Sequence, residues 1–109
     1  MRRRFAGLVA LAILPFGGGL QGAIAAGDIE LGKYLSGECV TCHKLAGKVE
    51  GGVPPIAGWA ADQFVAVMNS YRAKERDNAV MQTIAGRLKD DDIAALAAFF
   101  GGLPATKVK

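Results

Sequence analysis

The sequence contains few side chains that could hold a metal ion. Its 109 residues include only two cysteines and one histidine. A structural zinc site takes four ligands, mostly cysteine and histidine, and the chain has no second pair of such residues to complete one. A single histidine also means that no metal ion can take two histidine ligands from one chain. The composition therefore excludes a zinc-finger class and bis-histidine ligation within one chain.

Long runs of alternating apolar and polar residues are absent as well, so the sequence lacks the pattern of β-strands. Apolar residues instead recur at helical spacing, which predicts helices at about 28–35, 60–71 and 90–100 and a shorter segment at 81–88. Glycine and proline concentrate at 46–58, which predicts a loop. We expect an all-α fold of about four helices, in which this loop wraps around a bound group.

The first predicted helix has a clear start and an apolar side. Asp28 is a suitable N-cap, because its carboxylate can accept hydrogen bonds from the free N–H groups of the first turn. Leu31, Tyr34 and Leu35 are expected to form the buried side of this helix.

What the sequence does contain is the pentapeptide Cys39-Val40-Thr41-Cys42-His43. Two thiols three positions apart, followed at once by an imidazole, are the pattern of covalent haem attachment. On a helical turn, positions i and i+3 lie on one face, so both sulfurs can add to the vinyl groups of one porphyrin while the ring of His43 reaches the iron. We therefore expect one covalently bound haem c, held by Cys39 and Cys42 and ligated by His43.

Two other interpretations of the same cysteines remain beside haem. A thioredoxin-like dithiol shares the spacing, but it follows a buried strand, and no run rich in valine and isoleucine precedes Cys39. A plain disulfide between Cys39 and Cys42 is the simpler structural alternative in an exported protein. The histidine that follows Cys42 favours haem over both.

The first 26 residues have the pattern of a secretory signal peptide. Arg2 to Arg4 form a positive start, Phe5 to Phe16 an apolar stretch, and Ala23 to Ala25 a small-residue cleavage site. We expect cleavage near Ala25 or Ala26 and export to the periplasm. The single haem domain is then predicted at 27–109.

Two alternatives concern the same segment. Its arginines faintly resemble a twin-arginine signal, but that route moves folded proteins, whereas haem is attached covalently to an unfolded chain after translocation. Phe5 to Ile24 is also about long enough to cross a bilayer, although Pro15 and three glycines weaken it as a helix. A membrane association is therefore expected only if the segment is not cleaved.

Neither basic nor acidic residues are in excess once the signal peptide is removed. The full chain has a formal net charge of +3, but Arg2, Arg3 and Arg4 are three of its thirteen basic residues. The remaining ten basic residues equal the ten acidic ones, so net charge gives no support for a nucleic-acid partner.

The mature chain of about 84 residues would have a marginal core of its own, and we expect no stable fold without the haem.

The sixth iron ligand has two candidates among the residues after the signal peptide. Met68 lies in the middle of a predicted helix, where methionine most often fills a core. Met81 follows the non-helical residues 77–80 and can approach an open haem face from a loop, although its spacing to Leu88 also permits a place in a helical core. The residues alone leave both open.

The chain resembles the class I c-type cytochromes, and among them the cytochrome subunits of flavocytochrome c sulfide dehydrogenases and related periplasmic cytochromes. The resemblance extends over nearly all of 27–103. Besides the haem motif, it rests on Gly32, on Pro54 to Gly58, on Tyr71-Arg72 with Arg76 and Val80-Met81, and on the closing segment Lys89 to Phe99. Lys89 stands where the family usually has a capping serine, so we expect the cap of the last helix to shift to Asp90.

This resemblance implies roles for individual residues. Met81 occupies the position of the family's axial methionine, and the carbonyl of Pro54 occupies that of the group that accepts the Nδ1 proton of the axial histidine. Gly32 is expected to let the first and last helices pack closely. Lys44 and Lys48, which follow the haem motif, are candidate docking charges beside the exposed haem edge.

The function implied by the resemblance is one-electron transfer in the periplasm rather than enzyme catalysis. The partners would be other redox proteins, such as a flavoprotein dehydrogenase, a terminal oxidase or another cytochrome. One alternative is a fixed haem subunit of a flavocytochrome c that accepts electrons from its flavin during sulfide oxidation. Another is a ligand-binding haem sensor or a peroxidase, which requires an open sixth position and is disfavoured by Met81.

Overall fold

The computed structural model describes residues 27–49 and 51–107, together with Ala12. Apart from Ala12, the predicted signal peptide and its cleavage site lie outside these residues. The described part forms five helices and no strands: α1 (Ile29–Leu35), α2 (Gly37–Val40), α3 (Ala61–Arg72), α4 (Ala79–Gly86) and α5 (Asp90–Gly101). The predicted all-α fold is confirmed. About four helices were expected, and the fifth is the single turn α2.

The helix starts agree with the sequence in one case and differ in another. The Asp28 carboxylate accepts from the N–H groups of Glu30 and Leu31 at 3.0 and 3.2 Å, as predicted for an N-cap. The expected cap at Asp90 is wrong, because the N-cap of α5 is Lys89. The Asp92 carboxylate accepts the Lys89 N–H at 2.9 Å, which is the bond that the third helical residue makes in a capping box, whereas lysine has no side-chain oxygen to make the bond of a capping serine.

The packing of α1 on α5 is the most extensive helix contact in the described part. A Cβ placed on Gly32 would collide with the carbonyl of Ala95 and would come within 2.8 Å of the Phe99 Cβ. The close crossing predicted at Gly32 is therefore confirmed. Gly27 makes a second contact of this kind against the backbone of Ala94, which the sequence analysis missed.

The core lies where α3 meets α5. Phe64 and Phe100 stack with their ring centroids 5.7 Å apart, and Met68 is part of the same buried cluster. Leu35 of α1 packs against this cluster, as expected. The expectation for its neighbour is wrong, because the side chain of Tyr34 is 83% exposed.

The end of α5 and the segment that follows it hold the two ends of the loop predicted at 46–58. The Gly58 N–H donates to the Phe100 carbonyl at 2.8 Å, and the Thr106 hydroxyl donates to the Leu45 carbonyl at 3.2 Å. Gly58 has a φ of 80°, a conformation that costs little only in glycine. The loop is thereby held against the end of α5. None of the helices in the described part is long and apolar enough to cross a bilayer.

Candidate functional site

The haem motif begins in a helix rather than in a turn. Cys39 lies in α2, and the chain continues from it through one further helical turn. The Cys39 carbonyl accepts the N–H groups of Cys42 and His43 at 3.2 and 2.8 Å. The two sulfur-bearing residues are therefore one helical turn apart, which is the spacing that favours attachment to one ring.

The two cysteines have different surroundings. Cys39 is half-buried and Cys42 is exposed, and no disulfide joins them. Burial, together with the nearby carboxylate of Glu38, raises the pKa of the Cys39 thiol to about 11. Burial disfavours the charged thiolate, whereas a thioether has no proton to lose. The surroundings of Cys39 therefore suit a sulfur that is alkylated.

The ring of His43 is oriented by a residue eleven positions further along the chain. Its Nδ1 lies 2.7 Å from the Pro54 carbonyl oxygen. A carbonyl can only accept, so Nδ1 must carry the proton and donate it. In a neutral imidazole the other nitrogen, Nε2, is then left with a free lone pair. This is the tautomer that can ligate a metal through Nε2.

The two candidate methionines occupy different kinds of position. Met68 is 5% exposed and belongs to the buried core. Met81 is half-buried against that core. Residues 77–80 were expected to be non-helical, but α4 begins at Ala79, so Met81 is the third residue of a helix and not the first residue after a loop. Asn78 begins this helix, and its side-chain oxygen accepts the Met81 N–H at 3.0 Å.

A cavity of about 490 Å³ opens beside Cys39. Its apolar lining includes Leu35, Ile84 and Leu96. Its volume lies within the range of about 300 to 1,000 Å³ that is typical of sites for small molecules and cofactors. Glu38 and Arg87, which form an exposed ion pair at 3.7 Å, stand at its edge. Within 27–49 and 51–107, no three metal-binding side chains cluster as a conventional metal site.

The comparison with known families supplies the decisive observation. Residues 29–103, most of the chain, match the family Cytochrome c. The chain belongs to the cytochrome c family. The class expected from the haem motif and from the resemblance is thereby confirmed, and the cofactor of this cytochrome is one covalently bound haem c.

Individual relatives agree with this assignment. The chain is 32% identical over 102 residues to cytochrome c6 of Thermostichus vulcanus, covering 91% of this chain and 90% of the relative. It is 33% identical over 79 residues to cytochrome c-554(548) of Halomonas halodenitrificans (strain ATCC 12084 / NCIMB 8669), covering 69% of this chain and 95% of that one. The expected function of this cytochrome, a monohaem electron carrier, is confirmed at this level.

A third relative is a longer protein. The thiosulfate dehydrogenase electron acceptor of Stutzerimonas stutzeri (strain A1501) is 37% identical over 70 residues, which are 61% of this chain. The match covers only 32% of that relative. The similarity is therefore to about a third of the longer protein.

The residues near the motif fit a haem in their donor chemistry. Free sulfurs lie one helical turn apart at Cys39 and Cys42, and the Pro54 carbonyl leaves the Nε2 lone pair of His43 available. Half-buried apolar side chains such as Leu88 border the core and would be covered by an apolar ring. Sequence reasoning missed Asn78, although an asparagine just before a helical segment is a known N-cap signal.

Proposed function

We propose that this cytochrome carries single electrons through a haem held by Cys39 and Cys42, with His43 and Met81 as the two axial ligands of the iron. The observation that carries the proposal is the 2.7 Å hydrogen bond from His43 Nδ1 to the Pro54 carbonyl. It presents Nε2 as a ligand and makes the imidazole a better electron donor to a metal.

The side chains explain why the site would carry electrons rather than catalyse a reaction. A c-type haem supplies a one-electron iron couple, and ligation by histidine and methionine raises its potential. His43 would close one face and the thioether of Met81 the other, so no position remains where a substrate could bind. The alternative of a sensor or a peroxidase requires one of these faces to be open.

The proposed place of action is the periplasm. The supporting features are the arginines, the apolar stretch and the small-residue site in the first 26 residues. Mass spectrometry of the protein from its native host tests this, and the expected mature chain begins at Ala26 or Gly27. Recovery of the protein with its first 26 residues intact would favour an uncleaved anchor.

The proposed partners are a dehydrogenase that donates electrons and a second redox protein that accepts them. The name of one relative, a thiosulfate dehydrogenase electron acceptor, supports a dehydrogenase as the donor. Lys44 and Lys48 are exposed and line a small groove beside Cys42, where they are available for docking. Replacing both with glutamate should slow reduction by an acidic donor at low salt, because rim charges act on association. Equal rates for both proteins would remove the lysines from the docking surface.

The second candidate function is a fixed haem subunit of a flavoprotein dehydrogenase that oxidises sulfide. It uses the same residues around the haem and differs only in the partner. Purification from the native periplasm distinguishes the two functions. A flavoprotein recovered in constant ratio with the cytochrome would identify the subunit, whereas a cytochrome that elutes alone at low and high salt would identify the free carrier.

The ligand assignment is tested by replacing each methionine. Met81→Ala should remove the weak absorption band at the red edge of the ferric spectrum, lower the reduction potential and allow carbon monoxide to bind the ferrous protein, because a thioether that stabilises Fe(II) and blocks access is lost. Met68→Leu serves as the control. It keeps the core volume nearly constant and should cost less than about 1.5 kcal/mol without altering the spectrum.

The opposite pattern would assign the ligand to Met68. Rapid binding of carbon monoxide by the wild-type protein would instead favour the sensor or peroxidase. The two methionine variants therefore test which residue is the ligand, and carbon monoxide binding by the wild type tests whether the protein is an electron carrier.

A further inference from the structure

The backbone of the proposed sixth ligand is held by a specific side chain. Met81 lies in the first turn of α4, where N–H groups have no partner within the helix. The Asn78 side-chain oxygen accepts the Met81 N–H at 3.0 Å, and the Asn78 carbonyl accepts the Gln82 N–H at 2.9 Å. Asn78 therefore fixes the residue that bears the thioether, as well as the start of the helix.

This contact matters because methionine does not position itself. Its side chain has three rotatable bonds and no branch, so the place of the sulfur depends on where the backbone is held. A methionine on a frayed helical turn would leave the iron more often than one on a fixed turn. The closed state of the site is then favoured by whatever keeps the first turn of α4 formed.

A second bond ties the same turn to α3. The Gln82 side-chain amide donates to the Arg76 carbonyl at 2.9 Å. The Arg76 guanidinium lies over the Tyr71 ring at 5.5 Å, and the Arg76 N–H donates to the Ser70 carbonyl at 3.3 Å. The segment that carries Met81 is thus attached to Arg76 through the Gln82 side chain, and Arg76 is attached to the end of α3 through its backbone and its side chain.

We propose that Asn78 is a positioning residue for the sixth iron ligand, and that Gln82 assists it. The inference rests on the proposed function, since it requires Met81 to be that ligand. Asn78 does not touch the iron. It raises the fraction of time during which the thioether is bound by keeping the Met81 backbone in place.

The test measures how readily imidazole displaces the thioether in the ferric holoprotein. Loss of an N-cap costs a helix ~1 kcal/mol, which corresponds to about a fivefold change in an equilibrium constant. Asn78→Ala should therefore raise the imidazole binding constant about fivefold. Asn78→Ser and Asn78→Asp keep an oxygen that can cap the helix and should stay within about twofold of the wild type.

Asp28→Ala is the matched control. Asp28 caps α1 by the same kind of bond, accepting the N–H groups of Glu30 and Leu31, but α1 carries no proposed ligand. This variant should lower the denaturation midpoint and leave imidazole binding unchanged. Equal increases in imidazole binding for Asn78→Ala and Asp28→Ala would overturn the proposal and leave Asn78 as an ordinary helix cap.

Gln82→Ala is an independent arm if Asn78→Ala does not fold. It removes the bond to the Arg76 carbonyl and should raise imidazole binding about threefold, the effect of losing one neutral hydrogen bond. An unchanged binding constant in a folded Gln82→Ala protein would count against its assisting role. The wild-type spectrum distinguishes a failure of Met81 ligation from a failure of the proposed role of Asn78. A ferric wild type without the red-edge band overturns both Met81 ligation and this inference, whereas a wild type with the band and an unaltered Asn78→Ala protein overturns the inference alone.

Discussion

The two sides of the proposed haem site are held in different ways. The histidine side, residues 37–58, contains the motif and the loop that follows it. The methionine side, residues 73–88, contains a turn and α4. On the histidine side the ligand follows directly after the second attachment residue, and one hydrogen bond that it donates to the Pro54 carbonyl orients its ring. On the methionine side the ligand is a flexible side chain, and its place depends on a helix cap and on contacts with α3.

The two sides also differ in which residues adopt a positive φ. The turns of the histidine side that need a positive φ use glycine, for example Gly47 and Gly58. In the described residues, Lys74 is the only residue other than glycine with a positive φ, at 59°, and it lies on the methionine side. On the histidine side the ligand is adjacent to a residue of the covalent motif, whereas on the methionine side non-covalent bonds hold the helix that carries the ligand.

The largest expected effect comes from breaking the histidine side at its attachment residues. Cys39→Ala and Cys42→Ala should each remove one thioether and impair maturation, and the double variant should lose all its haem to acid-acetone extraction. The physical reason is that two axial bonds alone do not survive acid, which protonates the imidazole. Thr41→Ala is the control, because the Thr41 hydroxyl only donates to the Gly37 carbonyl at 3.1 Å. Complete extraction of haem from the wild type would contradict covalent attachment.

The next effect concerns the packing of α1 on α5, which supports the histidine side. α1 leads directly into α2, so a change in the crossing of α1 and α5 displaces the motif. Gly32→Val places a branched side chain against the Ala95 carbonyl and the Phe99 Cβ, and we expect a loss of about 1 to 3 kcal/mol in the free energy of unfolding. Chemical denaturation of the holoprotein measures it. Gly86→Val is the matched control, since a Cβ on Gly86 meets nothing within 4 Å. A midpoint equal to that of the wild type would show that the crossing tolerates a larger residue.

A smaller effect is expected where the end of the methionine side meets α3 and α5. Arg72 of α3 donates to the Leu88 carbonyl at 3.2 Å and to the Asp90 carboxylate at 2.5 Å. Arg72→Met keeps the aliphatic stem but loses these two bonds and a third to the Asn69 side-chain oxygen at 2.9 Å, and we expect the unfolding free energy to fall by about 1 to 2 kcal/mol. The comparison variant is Arg87→Met, whose ion pair with Glu38 is long and exposed and should contribute less than about 0.5 kcal/mol. Similar losses in the two variants would mean that the Leu88 contact adds little.

The residues proposed for the histidine side could be named from the sequence because most of them are adjacent in the chain. Cys39, Cys42 and His43 can be identified by spacing alone. The Pro54 contact required the family resemblance, because nothing local indicates which carbonyl will face a histidine eleven residues away. The fold class followed from helical periodicity, and Gly32 from its family position.

The sequence was less informative where tertiary contacts decide. Tyr34 has the spacing of a buried residue but is exposed, because α1 faces α5 through its small residue, Gly32, and through Leu35. The residues just before Met81 were expected to be non-helical, although α4 begins at Ala79. Asn78 caps this helix. The N-cap at Lys89 was missed because the lysine side chain has no oxygen that could accept a hydrogen bond. At this helix start the Asp92 carboxylate instead accepts the Lys89 N–H.

The smallest expected effect would strengthen the methionine side rather than break it. Lys74 follows the C-cap of α3 with a φ of 59°, at the position where helices most often place glycine. A left-handed conformation costs an ordinary residue roughly 1 to 2 kcal/mol, and glycine avoids this cost but loses about 0.5 to 1 kcal/mol through its greater freedom in the unfolded chain. Lys74→Gly should therefore raise the unfolding free energy by about 0.5 to 1 kcal/mol, or the thermal midpoint by roughly 2 to 6 °C. Lys74→Ala removes the same charge but keeps a Cβ, so calorimetry should detect no gain. Equal gains for Gly and Ala would show that the charge of Lys74, and not its backbone, limits the stability of the methionine side.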